Sequence, residues 1–168
     1  MQRRKLLVVS AATGVLLALV GGTLGLLRPA RVGGRFSTAS SQLLTVVAQS
    51  VLDGLLPTER TARDQALQGL LDRLQATIAG FPPAMQAEVD ELLGLLAHPA
   101  GRVAVVGLRS DWSEATPRQI HDALQSLRTS SMGLRQQIFH ALRDLTNAAY
   151  FVDADTWASI GYPGPRPV

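Results

Sequence analysis

One pattern governs most of this chain: apolar residues return every three or four positions, and nowhere do they alternate. Leu43, Val47, Val51 and Leu55 recur at a spacing of four, with Leu44, Ala48 and Leu52 beside them. That spacing gathers side chains on one face of an α-helix and scatters them on a strand. The pattern repeats at Leu67, Leu70, Leu71, Leu74 and Ile78, then at Met85, Val89, Leu92, Leu93 and Leu96. Ile120, Leu124 and Leu127 form a fourth set, and Leu134, Ile138, Ala141, Leu145 and Ala149 mark the longest helix, over about 131–150. The breaks fall where helix chemistry wants them. Pro57 ends the first segment, Gly80 and Pro82 stop the second, and the third opens on Pro83 and closes at His98-Pro99. Thr116, Pro117 and Gln119 supply an N-cap, a proline at the first helical position and a capping box for the fourth. The β-branched stretch RVAVVGL (102–108) has no second strand-like run to pair with. A lone strand leaves its backbone groups unsatisfied, so a short helix or a buried irregular segment is expected there. The expected fold is all-α, a small bundle of about five helices over 36–150.

In front of the bundle stands a different kind of segment. Residues 1–35 hold Arg3, Arg4, Lys5, Arg28, Arg31 and Arg35 and no acid, and the run Leu6–Leu27 is uncharged over 22 residues. A helix of that length spans roughly 33 Å, close to the ~30 Å hydrocarbon core of a bilayer. Arg3-Arg4 before Lys5-Leu6-Leu7 resembles a twin-arginine export signal, which moves folded cargo. Gln2, Leu6 and Val8 depart from that motif. Cleavage has weak support: the best site, before Arg31, has Ala30 last but Arg28 two residues earlier, where a small residue is wanted. A retained anchor is therefore the expectation, with the domain on the outer face of the cell membrane; export after signal cleavage is the alternative. Residues 31–41, rich in Gly, Ser and Arg, read as a short linker.

The formal charge of +3 belongs to this leader, because the remaining ten arginines face all 13 acids. A mildly acidic bundle without a basic, aromatic-studded patch argues against nucleic-acid binding. There is no cysteine, which excludes disulfides, thiol nucleophiles and cysteine-held clusters. His98, His121 and His140 are scattered and share no helical metal-binding spacing, so they read as surface or helix-end residues. Glu88, Asp90 and Glu91 read as a solvated face, and Asp153 and Asp155 as caps. No serine sits in a nucleophile elbow and no glycine pair makes a phosphate loop; Gly33-Gly34 follows no strand-like run. Catalysis, a metal and a resident cofactor are not expected of this chain.

Residues 151–168 close the chain with a proline- and glycine-rich tail, Trp157 and Tyr162 among them. Asp155 is placed to cap a single turn over 156–160, and Gly161 to end it in the left-handed conformation. Stiff backbone and large aromatics suit docking, either on a partner or on the chain's own helices.

Tyr150, an Asp-containing turn, Trp157 and Ile160-Gly161-Tyr162-Pro163-Gly164-Pro165 resemble the C-terminal signature of the gluconate 2-dehydrogenase subunit 3 family. That resemblance is specific over 150–165, is supported by Arg3-Arg4, and is general across the helices. It implies a small helical accessory subunit of a large flavin-dependent dehydrogenase of the glucose–methanol–choline type, acting on sugars, sugar acids or alcohols outside the cytoplasm. It implies FAD in the partner, with a cytochrome or quinone as electron acceptor, and none in this chain. Arg3 and Arg4 would serve export. Trp157, Ile160, Gly161, Tyr162, Pro163, Gly164 and Pro165 would dock the partner, with Tyr150 packed beneath. A stand-alone membrane-anchored helical scaffold or binding protein is the alternative.

Overall fold

The computed structural model describes residues 29–164. Arg3, Arg4, the apolar run Leu6–Leu27 and Pro165 lie outside the described residues. The described chain opens with a β-hairpin, β1 (Arg31–Val32) and β2 (Arg35–Phe36), followed by α1 (Thr38–Val51), α2 (Arg60–Ala79) and α3 (Pro83–Ala97). A short α4 (Pro99–Gly101) runs into a π-helical turn (Arg102–Val106). Then come α5 (Pro117–Arg128), α6 (Gly133–Phe151) and a 3₁₀ helix (Ala154–Ile160). The all-α expectation holds for these residues.

Helix α1 is the central element and packs against α2, α3, α5 and α6. Its Leu43, Leu44, Val47 and Ala48 are buried, too wide a stripe for one neighbour. Ser40 is buried as well, and its hydroxyl bonds to the Ser37 hydroxyl rather than being left dry. Around α1 the second layer contributes Leu67, Leu70 and Leu74 from α2, Leu93 and Leu96 from α3, Ile120, Leu124 and Leu127 from α5, and Ile138 and Leu142 from α6. Buried leucines and isoleucines of this size each contribute about 1.5–3 kcal/mol relative to exposure.

The capping box on α5 forms as expected: the Gln119 N–H donates to the Thr116 hydroxyl, and the Thr116 N–H to the Gln119 side chain. Three expectations change. First, α1 ends at Val51 with Leu52 as its C-cap, well before Pro57, because the chain turns back there: the Leu55 and Leu56 N–H groups both bond the Leu52 carbonyl. Second, α6 at 19 residues is shorter than α2 at 20, and its buried face is rotated. Leu142 and Thr146 are buried, and Ala141 and Leu145 only half so. Thr146 is tolerated there because its hydroxyl donates to the Leu142 carbonyl at 2.8 Å. Third, the linker over 31–41 is structured: Gly33 and Gly34 form a two-residue turn at φ +58° and +79°, and α1 already begins at Thr38. Both central residues of such a hairpin turn need positive φ, which only glycine adopts freely. The short helix expected within RVAVVGL is present, as a π turn over Arg102–Val106.

Two groups outside any periodic stripe hold the α3–α5 corner. Trp112 is 2% exposed, and its indole N–H donates to the Leu96 carbonyl at 2.8 Å. That carbonyl belongs to the last turn of α3, where no intrahelical donor remains. Arg102 is 5% exposed and pairs with Asp111 at 2.9 Å. Desolvation pushes the Asp111 carboxyl up, but the Ser113 N–H and Arg102 together overcome it and hold the group below its usual range.

Candidate partner-docking site

The tail is built from the end of α6 outward. Arg73 on α2 fixes its root: Nε donates to the Ala149 carbonyl at 2.7 Å and Nη1 pairs with Asp153 at 3.3 Å. Asp153, not Asp155, caps the following helix, its second carboxylate oxygen accepting from the Asp155 N–H. The cap stands two residues earlier than the spacing suggested because the helix is a seven-residue 3₁₀ stretch rather than one α turn.

Tyr150 lies where a packing residue is expected. It is buried, its ring meets that of Phe151 edge-on, and its hydroxyl donates to the Leu55 carbonyl at 2.9 Å. Burial pushes the phenol pKa up, and the Asp153 charge adds to this while Arg73 opposes it. The Thr156 hydroxyl donates to the Tyr150 carbonyl at 3.2 Å.

The tail's own sequence then explains its shape. Gly161 stands at φ +69° and closes the 3₁₀ helix. The Tyr162 N–H bonds back to the Trp157 carbonyl, and the Gly161 N–H to the Ala158 carbonyl, both at 3.1 Å. These two bonds are the pair that defines a Schellman C-cap, a motif completed by an apolar contact between the residue past the glycine and the one five positions before it. Here that contact is Tyr162 on Trp157, with ring centroids 5.3 Å apart. The indole N–H donates to the Phe151 carbonyl at 2.7 Å, and the Gly164 backbone lies over the indole, leaving a Cβ there only 3.4 Å from Cζ3. Trp157 is thus half-buried against the tail itself and the end of α6. No residue of the 3₁₀ helix is buried; Ile160 is 51% and Tyr162 46% exposed, with Pro163 exposed beside them.

Of the predicted docking residues, then, Tyr150, Trp157, Gly161 and Gly164 make the scaffold, and Ile160, Tyr162 and Pro163 face solvent. A cleft of about 400 Å³ separates the tail from α2 and the α1–α2 turn, lined by Leu55, Pro57, Gly69, Arg73, Tyr150 and Asp153 among others. A larger open groove of about 810 Å³ lies between α1 and the start of α5, with Asp53, Arg63, Arg118 and His121 on its walls. Arg63 is already committed there to the Pro57 and Thr58 carbonyls.

The remaining sequence candidates fall apart in space. Among the described residues no three His, Asp or Glu side chains gather in a way that could hold a metal ion. His98 caps α4 through Nδ1, while His121 and His140 are exposed. Asp90 is no mere solvated carboxylate: it takes two bonds from Arg31, at 2.6 and 2.9 Å, across 59 residues. Among the described residues no helix is long and apolar enough to cross a membrane. No family model, curated protein or solved structure matches the chain significantly.

Proposed function

We propose that this chain is the non-catalytic small subunit of an exported, membrane-associated flavin-dependent dehydrogenase. It accompanies a folded partner of the glucose–methanol–choline type through the twin-arginine route, stabilises it, and tethers it to the outer membrane face by its apolar leader. The partner holds FAD and oxidises a sugar, sugar acid or alcohol; a cytochrome or quinone takes the electrons. The reading draws on the resemblance at 150–165. The observation that supports it best is the self-capped tail, which carries half-exposed Ile160 and Tyr162 on a backbone already fixed by Gly161 and Trp157. A surface ordered before binding loses less entropy on association, and Tyr is a frequent anchor of interfaces.

The test is removal of residues 156–168. Arg73 keeps both of its contacts, to Ala149 and Asp153, in that truncated chain. Helicity and cooperative unfolding are expected to persist, while association with the flavoprotein is lost. Retained association would remove the tail from the interface. Loss of cooperative unfolding would favour the stand-alone scaffold, with the tail serving only its own bundle.

A further inference from the structure

A peptidase binds its substrate extended, pairing its own backbone with several residues on both sides of the bond it cuts. Hydrolysis of Ala30–Arg31 would add water across that amide, leaving a carboxylate on Ala30 and a free amine on Arg31. Ala30 is the small residue such an enzyme would draw into its pocket. Here its side chain is 3% exposed and belongs to the bundle core. Its carbonyl accepts from the Ser37 N–H at 2.8 Å, and Arg31–Val32 is already paired with Arg35–Phe36. The pairing is clasped from outside. The Arg31 guanidinium, its side chain 9% exposed, grips both Asp90 oxygens and reaches Gln86 at 3.2 Å on α3. The Phe36 N–H donates to Gln75 on α2 at 3.3 Å. A bidentate charge-assisted contact of this kind is among the stronger side-chain ties a protein makes.

We propose that the fold seals the Ala30–Arg31 bond against peptidases, so that a leader attached to a folded bundle stays attached. The sealing rests on the hairpin geometry alone. Its consequence, a permanent tether, rests on export of the chain in the folded state, as the proposed function has it. Cutting requires the hairpin to lift off α2 and α3, and the clasp sets how often that happens.

The full chain in mild detergent is digested with a trace of pancreatic elastase, which cuts after small residues, and the fragment beginning at Arg31 is timed by mass spectrometry. Two variants open the hairpin by separate routes. Asp90→Asn removes the charged half of the clasp. Gly34→Val forces a β-branched residue into φ +79° at a site where a Cβ meets nothing within 4 Å. Each is expected to speed the cut by roughly tenfold or more, with amide exchange in α1 still slow and exchange at Ser37 accelerated. A native chain cut at Ala30–Arg31 as fast as both variants would overturn the proposal. So would a Ser37 amide that exchanges freely in the native chain. Neither result bears on whether a flavoprotein partner exists.

Discussion

A severe steric constraint lies at Gly101, where α4 meets the last turn of α3. A Cβ on Gly101 would sit 2.0 Å from the Leu95 carbonyl oxygen, 2.8 Å from Leu95 Cδ1 and 2.9 Å from the Leu95 carbonyl carbon. Ordinary contact begins near 3.4 Å, so Gly101→Ala requires the two backbones to part by about 1.4 Å. Neither can give easily. Leu95 lies in α3 between the buried Gly94 and Leu96, and the turn after Gly101 carries the buried Arg102 and Val106. Overpacking of a core typically costs about 1–3 kcal/mol, and more when backbone rather than side chain must move. We expect about 3–4 kcal/mol. For a domain of this size that lowers the melting temperature by about 12–16 °C. Gly69→Ala is the internal control. It is a mid-helix glycine whose added Cβ meets only the guanidinium of Arg73, at 3.2 Å, the group that holds Ala149 and Asp153. Helix propensity alone gives it about 0.8–1 kcal/mol of stabilisation, less whatever the shift of Arg73 costs. Thermal unfolding followed by circular dichroism measures both. Equal melting temperatures for Gly101→Ala and the native chain would refute the described crossing of α4 on α3.

Trp112→Phe keeps most of the ring volume but strips the Leu96 carbonyl of its buried donor. We expect a loss of about 2 kcal/mol in urea unfolding, and an unchanged midpoint would contradict the contact. At α2 the Glu59 carboxylate accepts from the Thr61 and Ala62 N–H groups, which holds its pKa below the ordinary glutamate range. The stabilisation is therefore present above the unfolded value and fades as pH falls through the folded one. Glu59→Gln is expected to flatten that part of the acid limb of the stability–pH curve, and an identical limb would be the contrary result. Tyr150 has the opposite sign: its raised phenol pKa means that stability falls as pH rises through and past the ordinary tyrosine range. A spectrophotometric titration is expected to show a late phenol step that Tyr150→Phe removes.

What could be read from the sequence was local. The capping box at Thr116–Gln119 and the proline that opens α3 declared themselves because a few adjacent residues decide them. The core stripes of α2, α3 and α5 were legible for the same reason, since 3.6-residue periodicity is a local signal. The hairpin was not. Two-residue strands have no period, and Arg31–Val32 holds its place through Asp90, far along the chain. Trp112 and the Arg102–Asp111 pair were invisible for a related reason: loop and turn residues packing on a helix end follow no repeat. On α6 Ile138 and Ala149 lie on the buried face as expected, but between them the core sites are Leu142 and Thr146 rather than Ala141 and Leu145, and Thr146 is polar by type. The tail lay in between. Gly161 signals a left-handed cap, but the five-residue spacing from Trp157 to Tyr162 identifies a Schellman contact only once the two rings are seen to meet. That contact separates the tail's apolar side chains: Trp157 is half-buried, and Tyr162 and Ile160 stay exposed.

The central question is whether a flavoprotein travels with this chain. Purification of the native protein in mild detergent from its own cells, with the absorption spectrum and the subunit masses recorded together, decides it. A visible flavin absorbance and a second, much larger polypeptide in constant ratio to this one are expected. A colourless chain emerging alone, from cells that make the neighbouring gene products, would contradict the proposed function.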